Sequence, residues 1–215
     1  MKIKDKIKRL IIKIFAGPKI KIKGNNNILD IARNAHMRKV KIKIYGNNNK
    51  LIIEEKAYLH NVYMRIGFPD CPIDNCTIKI GKKTSFNSAD MQLGESNSSI
   101  TIGDNCMFSF NIEITCTDTH SIFDESNNLV NIGSNISIGS HVWVCKNVTI
   151  LKNTAIPDNC VVAQGSIITK KFEEQSAILA GNPANIVKKN IKWDKIRPQY
   201  AINERNKLQN IEVSE

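Results

Sequence analysis

The sequence predicts an all-β protein, a parallel β-helix of triangular cross-section with a short helix at each end. Three observations predict it: a repeat of six residues in the second half, a repeat of 22 in the first, and helical spacing of apolar residues at the N-terminus.

Residues 1–18 read as a basic amphipathic helix. Ile3, Ile7, Leu10, Ile11, Ile14 and Phe15 recur at intervals of three and four with lysines between them. Such a helix would cap the first coil and cover its open strand edges. The sharper alternative lays it on anionic lipid, a peripheral membrane contact through residues 1–16.

Coils are expected over residues 19–172. Gly-Asn-Asn-Asn at 24–27 returns at 46–49, and Ile22, Leu29 and Ile31 match Ile44, Leu51 and Ile53, a period of 22. Ile80 and Phe86 are six apart, as are Ile102, Phe108 and Ile114. Ile80 to Ile102 is again 22, one coil of 18 plus four, with Gly94-Glu95-Ser96-Asn97 the natural insertion. From Ile132 the sixes run unbroken, with first positions Ile132, Ile138, Val144, Ile150, Ile156, Val162 and Ile168. The fifth positions are Ile136, Val142, Val148, Thr154, Cys160, Ser166 and Phe172. A period of six fits neither an α-helix nor an exposed strand. It fits a coil of three short strands and three corners, whose first-position aliphatics point inward and stack one coil apart. A loop is expected near 121–131, where the rhythm lapses. Residues 173–215 read as a C-terminal tail with a helix around Lys195–Asn210, broken or started at Pro198.

Composition sets the class. The chain is 41% hydrophobic and 24% charged, as in a soluble globular protein. No apolar run reaches the length of a membrane helix, and Lys13 interrupts the short stretch Leu10–Ala16, so no export signal is read. The net charge is +11, but residues 1–23 alone carry +8. A uniformly basic, nucleic-acid-coating protein is therefore not expected, and no aromatic-basic platform of the single-strand binders is present. The six cysteines form no Cys-x-x-Cys and stand at no zinc-ligand spacing, so no metal and a reducing cytoplasm are expected.

His120 is the leading chemical candidate. It follows Ile114 by six, and a titratable group takes the place of an inward aliphatic just where the rhythm stops. A general base needs a pKa near neutral and hydrogen-bond reach of the attacking hydroxyl. Asp118 lies two residues earlier; on an extended strand the two would share a face and the carboxylate would orient the imidazole. Asn87, Ser88 and Asp90, one coil earlier, are candidates for the acceptor side. Trp143 occupies an outward sixth position, an unusual place for a core residue.

The sixes, followed by AQGSIITK and AGNPANIVKKNIKW, resemble the left-handed β-helix acyltransferases, in particular the maltose, galactoside and polysaccharide O-acetyltransferase branch. IGDNCMFSFNIEITCTDTHSIFD at 102–124 and IGSHVWVCKNVTILKNTAIPDN at 138–159 are similar to stretches common in that branch. The likeness is strong over about 78–193. The resemblance implies a left-handed β-helix that assembles as a homotrimer, with acetyl-CoA lying in clefts between subunits and a carbohydrate acceptor. The family's catalytic histidine falls on His120. A similar tryptophan, here Trp143, packs on the pantetheine and acetyl end of CoA. Ala163-Gln164-Gly165 aligns with a small-residue turn beside the CoA arm, although Gln164 and Cys145 stand where Ala and Gly are usual. Lys146, Thr169, Lys170 and Lys188 are placed with the cofactor, the lysines suiting its phosphates. The expected activity is O-acetylation of a bacterial surface polysaccharide or its precursor, in the cytoplasm and at the inner face of the membrane if the basic helix binds lipid. N-acetylation of a nucleotide-linked amino sugar is the alternative, although no Gly-rich nucleotide-binding βαβ unit opens the chain. A non-catalytic solenoid is a further one. A carbonic anhydrase would need three zinc histidines that the regular coils do not supply.

Overall fold

The computed structural model describes residues 17–203. The chain winds through three flat faces. The first is built from Lys19–Lys23, Lys41–Tyr45, Val62–Ile66, Ala89–Leu93, Ile112–Cys116, Thr149–Leu151 and Ile167–Ile168. The second holds Ile28–Ile31, Lys50–Ile53, Thr77–Ile80, Ser99–Ile102, Asn135–Ile138 and Thr154–Ile156. The third holds His36–Arg38, Tyr58–His60, Ser85–Phe86, Met107–Phe108, Trp143–Val144, Val161–Val162 and Ile178–Gly181, with Ala184–Lys188 antiparallel at its edge. All other pairings between these strands are parallel, from one coil to the next, so no coil satisfies its backbone alone.

The strands follow the alternation in the sequence. In Lys41–Tyr45 the isoleucines Ile42 and Ile44 are fully buried while Lys41 is exposed and Lys43 half-buried. Fully burying one such side chain contributes about 2 kcal/mol, and the stack continues through Met64, Met91, Ile114, Ile150 and Ile168. Phe86 and Phe108 stack with ring centroids 4.1 Å apart, filling the interior beneath the third face.

The repeats pair as read. Ile22 faces Ile44, Leu29 faces Leu51 and Ile31 faces Ile53. Ile80 faces Ile102, Ile138 faces Ile156, Val144 faces Val162 and Ile150 faces Ile168. The fifth-position residues Ile136, Val142, Val148, Thr154, Cys160, Ser166 and Phe172 are buried as well. Ile132 is the exception: at 58% exposed it lies in the loop before Asn135–Ile138, not in a coil. Its spacing of six continues the series without a strand to carry it.

Corners select their residues. Asn26, Asn48, Asn61, Asn75, Asn97, Asn105, Asn111, Asn147, Asn153 and Asn159 all take positive φ, which Asn tolerates best after Gly. In Gly-Asn-Asn-Asn the third Asn bridges coils. The Asn27 amide donates to Gly46 O at 2.8 Å, and buried Asn49 donates to Ile73 O at 2.9 Å and accepts from Cys76 N at 2.9 Å.

Parallel winding continues beyond Phe172, since Ile178–Gly181 pairs with Val161–Val162. Asn182–Pro183 is cis and closes the final hairpin. Pro198 starts a helix over 198–203, where its missing N–H costs nothing. The amphipathic segment 2–15 lies outside the described residues. No helix among the described residues is long and apolar enough to cross a membrane. All six cysteines are free.

Candidate active site

Three insertions share one corner, the turn from the first face to the second. They are 67–76, 94–98 and 117–134, carried by successive coils. Stacking of coils brings them side by side, and they enclose a cleft of about 420 Å³. Phe68, Cys71, Glu95, Thr117, His120 and Asn131 line it. His120 is exposed at its lip.

The backbone around His120 is held closely. The strand Ile112–Cys116 ends before Asp118, so the extended geometry expected over 118–120 is absent. Thr119 instead takes φ 63°, and His120 N donates to Asp118 O at 2.7 Å, a γ-turn. The buried Thr117 hydroxyl accepts from Thr119 N at 2.9 Å and donates to Glu95 Oε1 at 2.8 Å. Asn131 closes the loop: its amide donates to His120 O at 2.8 Å and to Asp118 Oδ2 at 2.9 Å, and its Oδ1 accepts from Ile122 N at 2.8 Å. Lys152, on the next coil, pairs with Asp118 and donates to Asn131 O at 2.6 Å.

This changes the reading of Asp118. Its carboxylate is turned to Lys152 and Asn131, and these hydrogen bonds hold its pKa below the usual carboxylate value. It clamps the loop that carries His120 instead of orienting the ring across a strand. Glu95 has the opposite environment. Burial raises its pKa, and Oε2 is buried with no hydrogen-bond partner. Glu95 shares the His120 cleft, and its only signal in the sequence is the four-residue insertion that carries it.

The remaining candidates divide between corners. Ser88 and Asp90 line a separate groove of about 680 Å³ on the first face, with Lys41, Tyr63, Gln92 and Glu113. Asn87 sits at the preceding corner, its N donating to Phe108 O at 3.1 Å, and does not line that groove. Trp143 stands half-buried on the third face. Trp193, which sequence spacing did not mark, returns from the tail to it. Trp193 stacks on His141 at 4.2 Å, approaches Trp143 at 5.9 Å, and donates Nε1–H to His141 O at 2.9 Å. Lys146 and Gly165 adjoin at the turn from the third face to the first, where Gly165 N donates to Lys146 O at 3.0 Å. Ala163 and Gln164 share that turn. Gly165 has φ 74°, and a Cβ there would meet nothing within 4 Å. Thr169 and Lys170 lie at the His120 corner, two coils further on. Lys170 donates to Asn185 Oδ1 at 2.8 Å, and Lys188 ends the hairpin strand.

Comparison with solved structures decides the class. The structure of the polySia-specific acetyltransferase NeuO superposes with a TM-score of 0.66 at 28% identity, covering 92% of this chain and 98% of that one. The polysialic acid O-acetyltransferase OatWY superposes with a TM-score of 0.64 at 26% identity, covering 89% and 98%. The chain thus shares its fold, over nearly its whole length, with these β-helix acetyltransferases. No protein-family model and no curated protein matches it.

Within one chain His120 and Trp143 lie at different corners. Trp143, Lys146 and Gly165 adjoin the turn from the third face to the first, whereas His120 sits at the turn from the first to the second.

Proposed function

We propose that the protein is an O-acetyltransferase that moves acetyl from acetyl-CoA to a sugar hydroxyl of a polysaccharide. The observation that supports it is His120, held by its backbone at the lip of a cleft lined by polar and apolar side chains, in a chain that matches NeuO over 92% of its length. The two neighbours named above act on polysialic acid, and this chain is read as acting on a sugar polymer of the same general kind.

In the proposed reaction an imidazole nitrogen of His120 takes the proton of the acceptor hydroxyl while its oxygen attacks the thioester carbonyl. The tetrahedral adduct collapses, the C–S bond breaks, and the CoA thiolate leaves with the proton returned by the imidazolium. No acyl-enzyme forms. Backbone N–H groups stabilise the oxyanion. Trp143, with Trp193 beside it, takes the pantetheine arm, and the open turn at Ala163-Gln164-Gly165 lets that arm approach backbone.

Because His120 and Trp143 occupy different corners, the site is read as lying between copies. One copy supplies His120, and its neighbour supplies Trp143 and the groove of Ser88 and Asp90, in a homotrimer. Calorimetry with acetyl-CoA, beside ATP and polyphosphate, tests the reading. Binding of acetyl-CoA well above both anions, weakened by Trp143→Ala, supports it. Binding no better than polyphosphate overturns it.

A further inference from the structure

The first face carries a ladder of cations that the chemistry at His120 does not use. Register stacks Lys19 on Lys41 and Tyr63, and Lys21 on Lys43 and Arg65, with Lys23 beside Tyr45. All six cations project outward, opposite the buried Ile42, Ile44, Met64 and Ile66. None joins the ion pairs found among the described residues. Tyr63 is approached by Lys41 at 5.1 Å and Lys43 at 5.8 Å, while Arg65, 5.8 Å from Tyr63, lies closer to Phe68 at 4.3 Å and donates to Gln92 Oε1. Arg65 Nε is buried with no partner.

The ladder runs into the groove of about 680 Å³. Lys39 and Lys41 form the near end; Asn61, Tyr63 and Gln92 lie between; Asp90 and Glu113 form the far end. Successive strands are about 4.8 Å apart, so cations repeat along the solenoid at a spacing close to one sugar unit. Like charges held this close repel one another and favour a polyanion. A concave groove with hydroxyl-binding side chains and an aromatic ring suits a single sugar chain, not a flat bilayer. The carboxylates at its far end would accept from sugar hydroxyls and repel anionic groups toward the lysines.

We propose that the first face of the three N-terminal coils is a docking track for a carboxylate-bearing polysaccharide, which feeds the acceptor into the groove. This rests on the acetyl-transfer reading above and narrows its acceptor to an acidic chain.

The test compares binding of polysialic acid, neutral dextran and vesicles containing phosphatidylglycerol to the full chain at low and physiological salt. Polysialic acid is expected to bind, dextran not. Lys21→Gln/Lys41→Gln/Lys43→Gln is expected to weaken polysialic acid binding about tenfold, each exposed pair contributing a fraction of a kcal/mol. Lys50→Gln/Lys56→Gln/Lys82→Gln removes the same charge from other surfaces and should leave affinity within about twofold. If the first triple variant loses its cooperative melt, Lys43→Gln alone still weakens binding about twofold. Equal loss in both triple variants, or loss of vesicle binding only, overturns the track. An acetyl-CoA titration of the same protein separates the two claims. Acetyl-CoA binding with no ladder effect sinks the track and leaves the acetyl transfer. A ladder effect without acetyl-CoA binding does the reverse.

Discussion

His120 is exposed, yet its backbone is held by hydrogen bonds to Asp118 and Asn131, which suits a group that must present one ring nitrogen repeatedly. His120→Ala is expected to lower turnover about a hundred- to ten-thousand-fold while acetyl-CoA affinity stays unchanged; near wild-type turnover in a folded protein would remove the base from the mechanism. The two carboxylates nearby titrate in opposite senses. Asp118, lowered by Lys152 and Asn131, holds the loop fully above the ordinary carboxylate pKa and loses that hold as pH falls through its depressed value. Glu95, raised by burial, favours the fold when protonated, and that contribution fades as pH rises through its elevated value. Glu95→Gln, which mimics the protonated acid, should therefore melt higher than wild type at pH 7 and alike near pH 4. Thermal melts at both pH values check this, and a lower melt at pH 7 would contradict it.

At the scale of the coil, two glycines separate backbone need from ligand need. A Cβ on Gly46, at φ 119°, would lie 1.9 Å from Ile73 O. Gly46→Ala is expected to destabilise by on the order of 3 kcal/mol, read as a drop in denaturant midpoint. Gly165, at φ 74° with open space around it, should cost only about 1 kcal/mol as Ala. On the proposed site, its larger effect is expected in acetyl-CoA binding, where a methyl group would stand in the path of the pantetheine arm. A normal affinity for acetyl-CoA in Gly165→Ala would move that arm elsewhere. The coil also shows why spacing misleads at Ile132: six residues is a period only where strands pair, and Ile132 pairs with none.

For the whole molecule, the division of His120 and Trp143 between corners makes a site between copies the economical arrangement. Mixing inactive His120→Ala and Trp143→Ala chains under conditions that exchange subunits should then restore activity at roughly a quarter of the sites. No recovery in mixed oligomers would place each site within one chain.

The winding itself was legible from residue order. Ile22 with Ile44, Ile80 with Ile102 and Val144 with Val162 are paired in the structure as their spacing predicts, because inward aliphatics and corner asparagines repeat with the coil that needs them. The place of His120, at the point where the repeat fails and a cleft opens, was legible too. Asp118 as a clamp, Glu95 in the cleft and Trp193 against His141 were not. Each depends on a contact between segments whose separation follows no period: Lys152 with Asp118 across 34 residues, Thr117 with Glu95 across 22 through an insertion, Trp193 with His141 across 52. Local pattern dictates a repeating backbone, since every coil meets the same neighbours. Which side chains meet where the repeat is interrupted is decided only when the coils have stacked and brought three unrelated loops to one corner.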